Sequence, residues 1–236
     1  VELSAIQDRC EHLELDNWQV QADQIKELAE KYELALTAME VASTAEERLI
    51  PAFEAGAEIG IPVINMGPGG KSDVEEDFQV SVAQLVKMAD KAHEHGVTLC
   101  VKAHEGHAIY NTPTTLRAIE AVDSPGFGIN MDPSHIYRAG ENTVEALAAV
   151  ISTVKHVHVR DCAVPEGGPG DPESQACGRG DIDLFGYIKV LHESELDVAA
   201  NLEVIGAEEY ELGAVATIAA ESRGDLNACL KACGAS

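Results

Sequence analysis

The sequence predicts an α/β chain folded as a TIM-type (β/α)8 barrel, with the first strand of the barrel lying outside the 236 residues. Three observations carry that expectation. Short apolar, β-branched runs alternate from end to end with longer helical stretches, and strict alternation of this kind means parallel β/α units. Seven such units can be placed, one short of a closed barrel, and 236 residues fall just below the roughly 250 that a full barrel takes. Val1 already stands inside a strand-like run. A doubly wound open sheet is the alternative, but no strand is followed by a Gly-x-Gly-x-x-Gly turn.

Taken in order, strands are expected at 1–4, 34–39, 62–66, 97–104, 126–132, 155–161 and 199–205. Helices fill the intervals at about 17–32, 44–59, 74–95, 113–122, 143–153, 182–194 and 207–232. The clearest helix follows Ser72-x-x-Glu75, which reads as a capping box; Phe78, Val82, Leu85, Ala89 and Ala92 then repeat at helical spacing, and Gly96 stands where the helix should stop. Thr112-Pro113 opens the next, with proline where a missing N–H costs nothing. No linker or low-complexity tract divides the chain, so 1–236 reads as a single barrel domain holding strands two to eight. The stretch 163–180, rich in Gly and Pro, is too long for an ordinary βα connection and reads as a disordered insertion or a loop over a site.

Composition excludes several functions. Sixteen basic side chains against 41 acidic ones leave a formal charge of −25, which argues against a binder of phosphate backbones. Aromatic residues are 4%, too few for stacking platforms on single strands. No apolar run approaches the roughly 18 residues needed to span a bilayer, and no basic-then-apolar leader is present. None of the six cysteines (Cys10, Cys100, Cys162, Cys177, Cys229, Cys233) forms a CxxC pair, so a reduced, cytoplasmic protein is expected. The sequence does not decide between a monomer and a homo-oligomer.

Residues two apart on a barrel strand face inward, and active sites lie at the C-terminal strand ends. There the late strands carry polar groups at one parity: Lys102 and His104; Asn130 and Asp132; His156, His158 and Arg160; Asn201 and Glu203. Val157, Val159, Leu202 and Val204 hold the other parity, so the polar set is the buried one. A single buried histidine is ordinarily a hydrogen-bonded core residue. For Asp132, His158 and Glu203 on consecutive strands, a shared cation is the better explanation, and such oxygen and nitrogen ligands suit Mn²⁺, Mg²⁺, Co²⁺ or Zn²⁺ alike.

The same segments carry a resemblance. Asp132-Pro-Ser-His135, His156-Val-His158-x-x-Asp161, Gly178-Arg-Gly-Asp-Ile182 and Leu202-Glu203 resemble the sugar phosphate isomerase/epimerase family. This is the xylose isomerase-like TIM barrel superfamily, which also holds ketose 3-epimerases, inosose dehydratases and endonuclease IV. Val1-Glu-Leu resembles its second strand and 55–63 its helix leading into the fourth. The resemblance implies a divalent cation on Asp132, His158 and Glu203, a substrate-contacting His135, and an Arg179 that reaches substrate hydroxyls or a phosphate. Arg160 is a further candidate for substrate contact.

The fifth strand departs from the family, whose glutamate should stand at Lys102; Lys102-Ala-His-Glu-Gly106 is more similar to the inosose dehydratase branch. Lys102 could be a neutral base, could swing away and leave His104 to complete the metal site, or could replace the cation by pairing with Glu203 and Asp132. The second arrangement is expected, with His104 as a ligand. The implied chemistry is proton abstraction next to a sugar or polyol carbonyl through an enediolate, with Glu203, Lys102 and His104 as catalytic candidates. An isomerase or epimerase comes first, and a metal-dependent lyase or dehydratase second. A non-catalytic barrel subunit is a further alternative. An endonuclease IV-like enzyme is disfavoured by Gly180-Asp-Ile-Asp183, which lacks that enzyme's Asp-x-His, and by the charge of −25.

Overall fold

The computed structural model describes residues 1–163 and 167–235. Seven parallel strands form one sheet that curls into a barrel with helices outside. In chain order they are β1 (Glu2–Ile6), β3 (Ala38–Glu40), β4 (Val63–Met66), β5 (Thr98–Lys102), β6 (Phe127–Met131), β7 (Val154–Val159) and β8 (Ala200–Leu202), each paired to the next. A short β2 (Cys10–Glu11) folds back antiparallel on β1, which the sequence reading did not foresee. Every residue of β4 and β6 is buried, as expected of parallel strands covered on both faces.

The helices are α1 (Trp18–Lys31), α2 (Glu46–Ile59), α3 (Glu75–Glu94), α4 (Thr112–Ala121), α5 (Pro133–Arg138), α6 (Thr143–Val150), α7 (Leu184–Glu193) and α8 (Leu212–Ala232). All but the short α5 lie within the expected intervals to within a residue or so at most ends. On α3 the predicted stripe is the buried face, and Gly96 follows its end at φ +75°, in the left-handed region. Ser72 does not cap that helix. Its hydroxyl donates to the His107 carbonyl, tying two loops at the barrel mouth, and Val74 is the capping residue. The capping box is found on α4, between Asn111 and Thr114.

Gly126 sets how closely α3 can pack on the sheet. A Cβ there would lie 2.2 Å from the Ala89 carbonyl oxygen and 2.8 Å from the His93 nitrogen. Between β1 and β8 no ladder forms among the described residues. Asn201 of β8 instead donates at 2.9 Å to Oγ1 of Thr37, just before β3, and that hydroxyl donates to the Val1 carbonyl ahead of β1. A cavity of about 450 Å³ lies along this seam, between Glu2, Ser4 and Ile6 on one side and Asn201, Glu203 and Ile205 on the other.

The loop after β7 is a folded structure over its described residues. Asp161 accepts from the backbone N–H groups of Cys162, Gly178 and Ile182, and buried Gln175 bonds the Gly170 carbonyl and both backbone groups of Ile205. Residues 164–166 of the predicted loop lie outside the described residues.

Candidate active site

The strand ends bring the predicted polar residues together inside the barrel. Lys102 ends β5, and its Nζ stands 3.0 Å from His158 Nδ1, 3.2 and 3.4 Å from the two Glu203 oxygens and 3.5 Å from Glu40 Oε2. Burial works against this charge, but Glu40, Glu203 and Asp132 outweigh it and raise the lysine pKa above its ordinary value. Lys102 therefore does not swing away; the ammonium is the hub of the cluster. The expected arrangement is corrected toward the ion-paired one, with Glu40 as a partner that the sequence did not suggest.

Two nitrogens 3.0 Å apart require a lone pair on one of them. With Lys102 charged, His158 Nδ1 accepts, and its Nε2–H donates to Glu2 Oε2 at 2.6 Å. Burial and Lys102 oppose protonation of this imidazole, while Glu203 and Glu2 raise its pKa. His156, one step earlier on β7, is fully buried; its Nε2 lies 3.5 Å from Glu2 Oε2 and accepts from Asn201.

Asp132 is committed elsewhere. As the N-cap of α5 it accepts from the Ser134 backbone at 2.9 Å and the Ser134 hydroxyl at 2.7 Å, both on Oδ1. Its Oδ2 accepts from Arg160 Nη2 at 3.0 Å. Against the cost of burial, Arg160, His135 and Lys102 hold its carboxyl far below the usual range. Arg160, 1% exposed, also donates to Ser134 Oγ, contacts His135 Nε2 at 3.2 Å, and places Nη1 3.3 Å from Glu203 Oε2.

Two groups of side chains bring ligand atoms within 4.8 Å of one another and so could hold a metal ion: Glu40, His158 and Glu203, and nearer the barrel floor Glu2, His156 and His158. Asp132 and His104 belong to neither group among the described residues. His104 turns its Nδ1 to the Glu105 carbonyl and packs between His107 and His135, with ring centroids at 4.4 and 4.0 Å. In the first group the chemistry of the donors decides the fit. The ammonium already stands among Glu40, His158 and Glu203, and a divalent ion about 4 Å from it would be repelled by roughly 8 kcal/mol at an effective dielectric near 20. That set does not fit a divalent cation while Lys102 is charged.

Above the cluster opens a cavity of about 270 Å³, whose lining includes Glu40, Lys102, His104, His135, Arg160 and Glu203. His135 Nδ1 is buried without a partner there, and burial pushes the His135 pKa well below its usual value. Arg179 is not brought to this cavity. Its guanidinium forks onto Glu221 of α8, with both bonds at 2.7 Å, on the outer side of the loop.

Glu2 and Glu40 are the residues that sequence reasoning missed. Glu2 lay in a predicted strand, and a carboxylate at its centre was the available signal. Glu40 stood one residue beyond a strand expected to end at Met39.

Residues 2–224 match the model of the xylose isomerase-like TIM barrel family. The chain belongs to that family. Inosose dehydratase of Mesomycoplasma hyopneumoniae (strain 7448) is 28% identical over 86 residues, covering 36% of this chain and 29% of that protein. Inosose dehydratase of Geobacillus thermodenitrificans is 27% identical over 90 residues, covering 38% of this chain and 30% of the relative. The matched segment thus spans less than a third of these relatives. Among solved barrels of the family fold, a D-tagatose 3-epimerase-like protein superposes with a TM-score of 0.78 at 18% identity, over 99% of this chain and 89% of the other. The IolI protein, solved with a bound zinc atom, gives 0.73 at 20% identity over 90% and 84%. Among the described residues no helix is long and apolar enough to cross a membrane.

Proposed function

We propose that this barrel moves a proton at the carbon next to the carbonyl of a small polyhydroxylated ketone, isomerising or epimerising a sugar. The observation that carries this reading is the pair of carboxyls, Glu203 and Glu40, set against one ammonium at the floor of the mouth cavity. Their environments differ. Burial raises the Glu40 pKa against the pull of Lys102 and His158, whereas Lys102, His158 and Arg160 overcome burial and lower that of Glu203. Two carboxyls pushed apart in this way supply an acid and a base at one site.

Glu203 takes the proton, the C–H electron pair forms the C=C bond as the carbonyl π pair moves onto oxygen, and the resulting enediolate is held by Lys102 and Arg160. Glu40 supplies the proton that completes the turnover at the neighbouring carbon or on the other face. The divalent cation expected from the sequence has no part in these steps.

A second reading, loss of a β-hydroxyl as water, is favoured by the sequence matches to inosose dehydratases. Incubation with ketoses and inososes in D₂O, followed by proton NMR, separates the two. Isomerisation or epimerisation predicts deuterium at the carbon next to the carbonyl with the hydroxyls retained. It also predicts exchange slowed about 100-fold or more in Glu203→Gln. An unsaturated ketone formed without exchange into substrate establishes the second reading, and neither result from any polyol ketone refutes both.

A further inference from the structure

The ligand-bearing atoms of the mouth cluster are already spoken for. Lys102 Nζ takes the His158 Nδ1 lone pair and both oxygens of Glu203 as hydrogen-bond acceptors, and faces Glu40 Oε2, which has no hydrogen-bond partner, as an ion pair at 3.5 Å. His158 has no second nitrogen to offer, because Nε2 faces Glu2. Asp132 has none either, with Oδ1 on Ser134 and Oδ2 on Arg160.

Lys102 and Arg160 are two fixed positive charges set among the carboxyls of Glu2, Asp132, Glu203 and Glu40, so a divalent ion would have to enter beside two cations already in contact with its ligands. Lys102 is 6% exposed and its side chain extends from a strand at the centre of the sheet, with its ammonium held among His158, Glu203 and Glu40.

We infer that Lys102 is the resident cation of this site: its ammonium stands where a divalent ion would bind Glu40, His158 and Glu203, and the protein takes no such ion there. The catalytic side of this inference, an enediolate stabilised by an ammonium, rests on the proton-transfer reading above. The metal-binding side does not, and it is tested separately.

The test is titration of Mn²⁺ alone into the purified chain after chelator treatment, read by calorimetry and by loss of the free-ion EPR signal. The parent is expected to bind no stoichiometric Mn²⁺ at Glu40, His158 and Glu203, so that any ion it takes up is retained in Glu40→Gln. Lys102→Glu, which turns the central cation into a ligand, is expected to bind one ion per chain, about 100-fold or more tighter than the parent. Lys102→Gln, which removes the charge and is isosteric with the Lys102→Glu side chain, serves as the second variant, and circular dichroism and melting establish that each is folded. It should bind Mn²⁺ more tightly than the parent and more weakly than Lys102→Glu. One tightly held Mn²⁺ per parent chain that is lost in Glu40→Gln overturns the inference, and so does the failure of both folded variants to gain affinity. Parent exchange in D₂O, where it occurs, should survive excess EDTA; its loss, restored by Mn²⁺, overturns the catalytic side alone.

Discussion

Arg160→Met tests whether Asp132 is held as an ion-paired cap or as an available ligand. The substitution keeps an unbranched stem of similar reach and removes the guanidinium that bonds Asp132 Oδ2 at 3.0 Å and Ser134 Oγ at 2.7 Å. Asp132 is 2% exposed, so its charge then lies buried without its nearest partner. Removing one member of a buried pair costs about 3–5 kcal/mol. With a urea m-value of about 3 kcal/mol/M, the upper end of the usual range, the midpoint should fall by about 1–1.7 M near neutral pH.

The pH dependence gives the sharper readout. In the parent, Asp132 has a folded pKa lowered from 3.8, so its contribution is full above that value and is lost as pH falls toward the folded pKa. Without Arg160, burial is opposed only by weaker partners and the folded pKa rises. Raised above 3.8, it makes stability decline as pH climbs through the unfolded pKa. The gap between parent and variant should therefore be widest near pH 6 and narrow as pH falls toward 3. Asp132→Asn in the Arg160→Met background should recover part of the loss. A loss below about 1 kcal/mol, or one equally large at both pH values, would refute the account of Asp132 as an ion-paired residue.

Other substitutions probe the rest of the frame. Gly126→Ala drives a Cβ onto the Ala89 carbonyl oxygen, which is backbone and cannot yield cheaply; a loss of about 1–3 kcal/mol is expected in a denaturant melt. Arg179→Ala breaks an exposed ion pair whose members are 47% and 36% accessible, so stability should change by no more than about 1 kcal/mol and turnover should be unaffected. Gln175→Ala frees both backbone groups of Ile205 and the Gly170 carbonyl, and amide exchange measured by mass spectrometry should accelerate in 167–180 while β5 and β6 keep their protection.

The strands were legible because a parallel strand covered on both faces is a short apolar run, and β4, β5 and β6 show little else. The large helices were legible from their stripes. What escaped were elements too short to carry a period. β2 has two residues, and α5 has six, started by the Asp132 cap and Pro133 rather than by any repeat. Ser72 was misread for a related reason. A serine three positions before a glutamate fits a capping box in sequence, but its hydroxyl is claimed by a carbonyl 35 residues away.

Parity placed Lys102, Asp132, His158, Arg160 and Glu203 on the inside because a strand allows only two directions. It could not say which of them pair. Arg179 shows the limit: a glycine-flanked arginine after β7 suggests reach toward a ligand, and only the fold brings Glu221, 42 residues on, to neutralise it. The metal expectation is met in part by the same logic: inward carboxylates and imidazoles do gather into two groups that could hold an ion, but Asp132 and His104 belong to neither among the described residues. Inward carboxylates and imidazoles imply a cation, and that implication was sound. A sequence motif supplies the cation from solvent because its ligand positions are acidic or imidazole. Here one of the inward positions is itself a lysine, and once Nζ lies 3.0–3.5 Å from His158, Glu203 and Glu40, the buried charges already have their counterion. The substitution that looked like a gap in the ligand set supplies the positive charge that the remaining residues require.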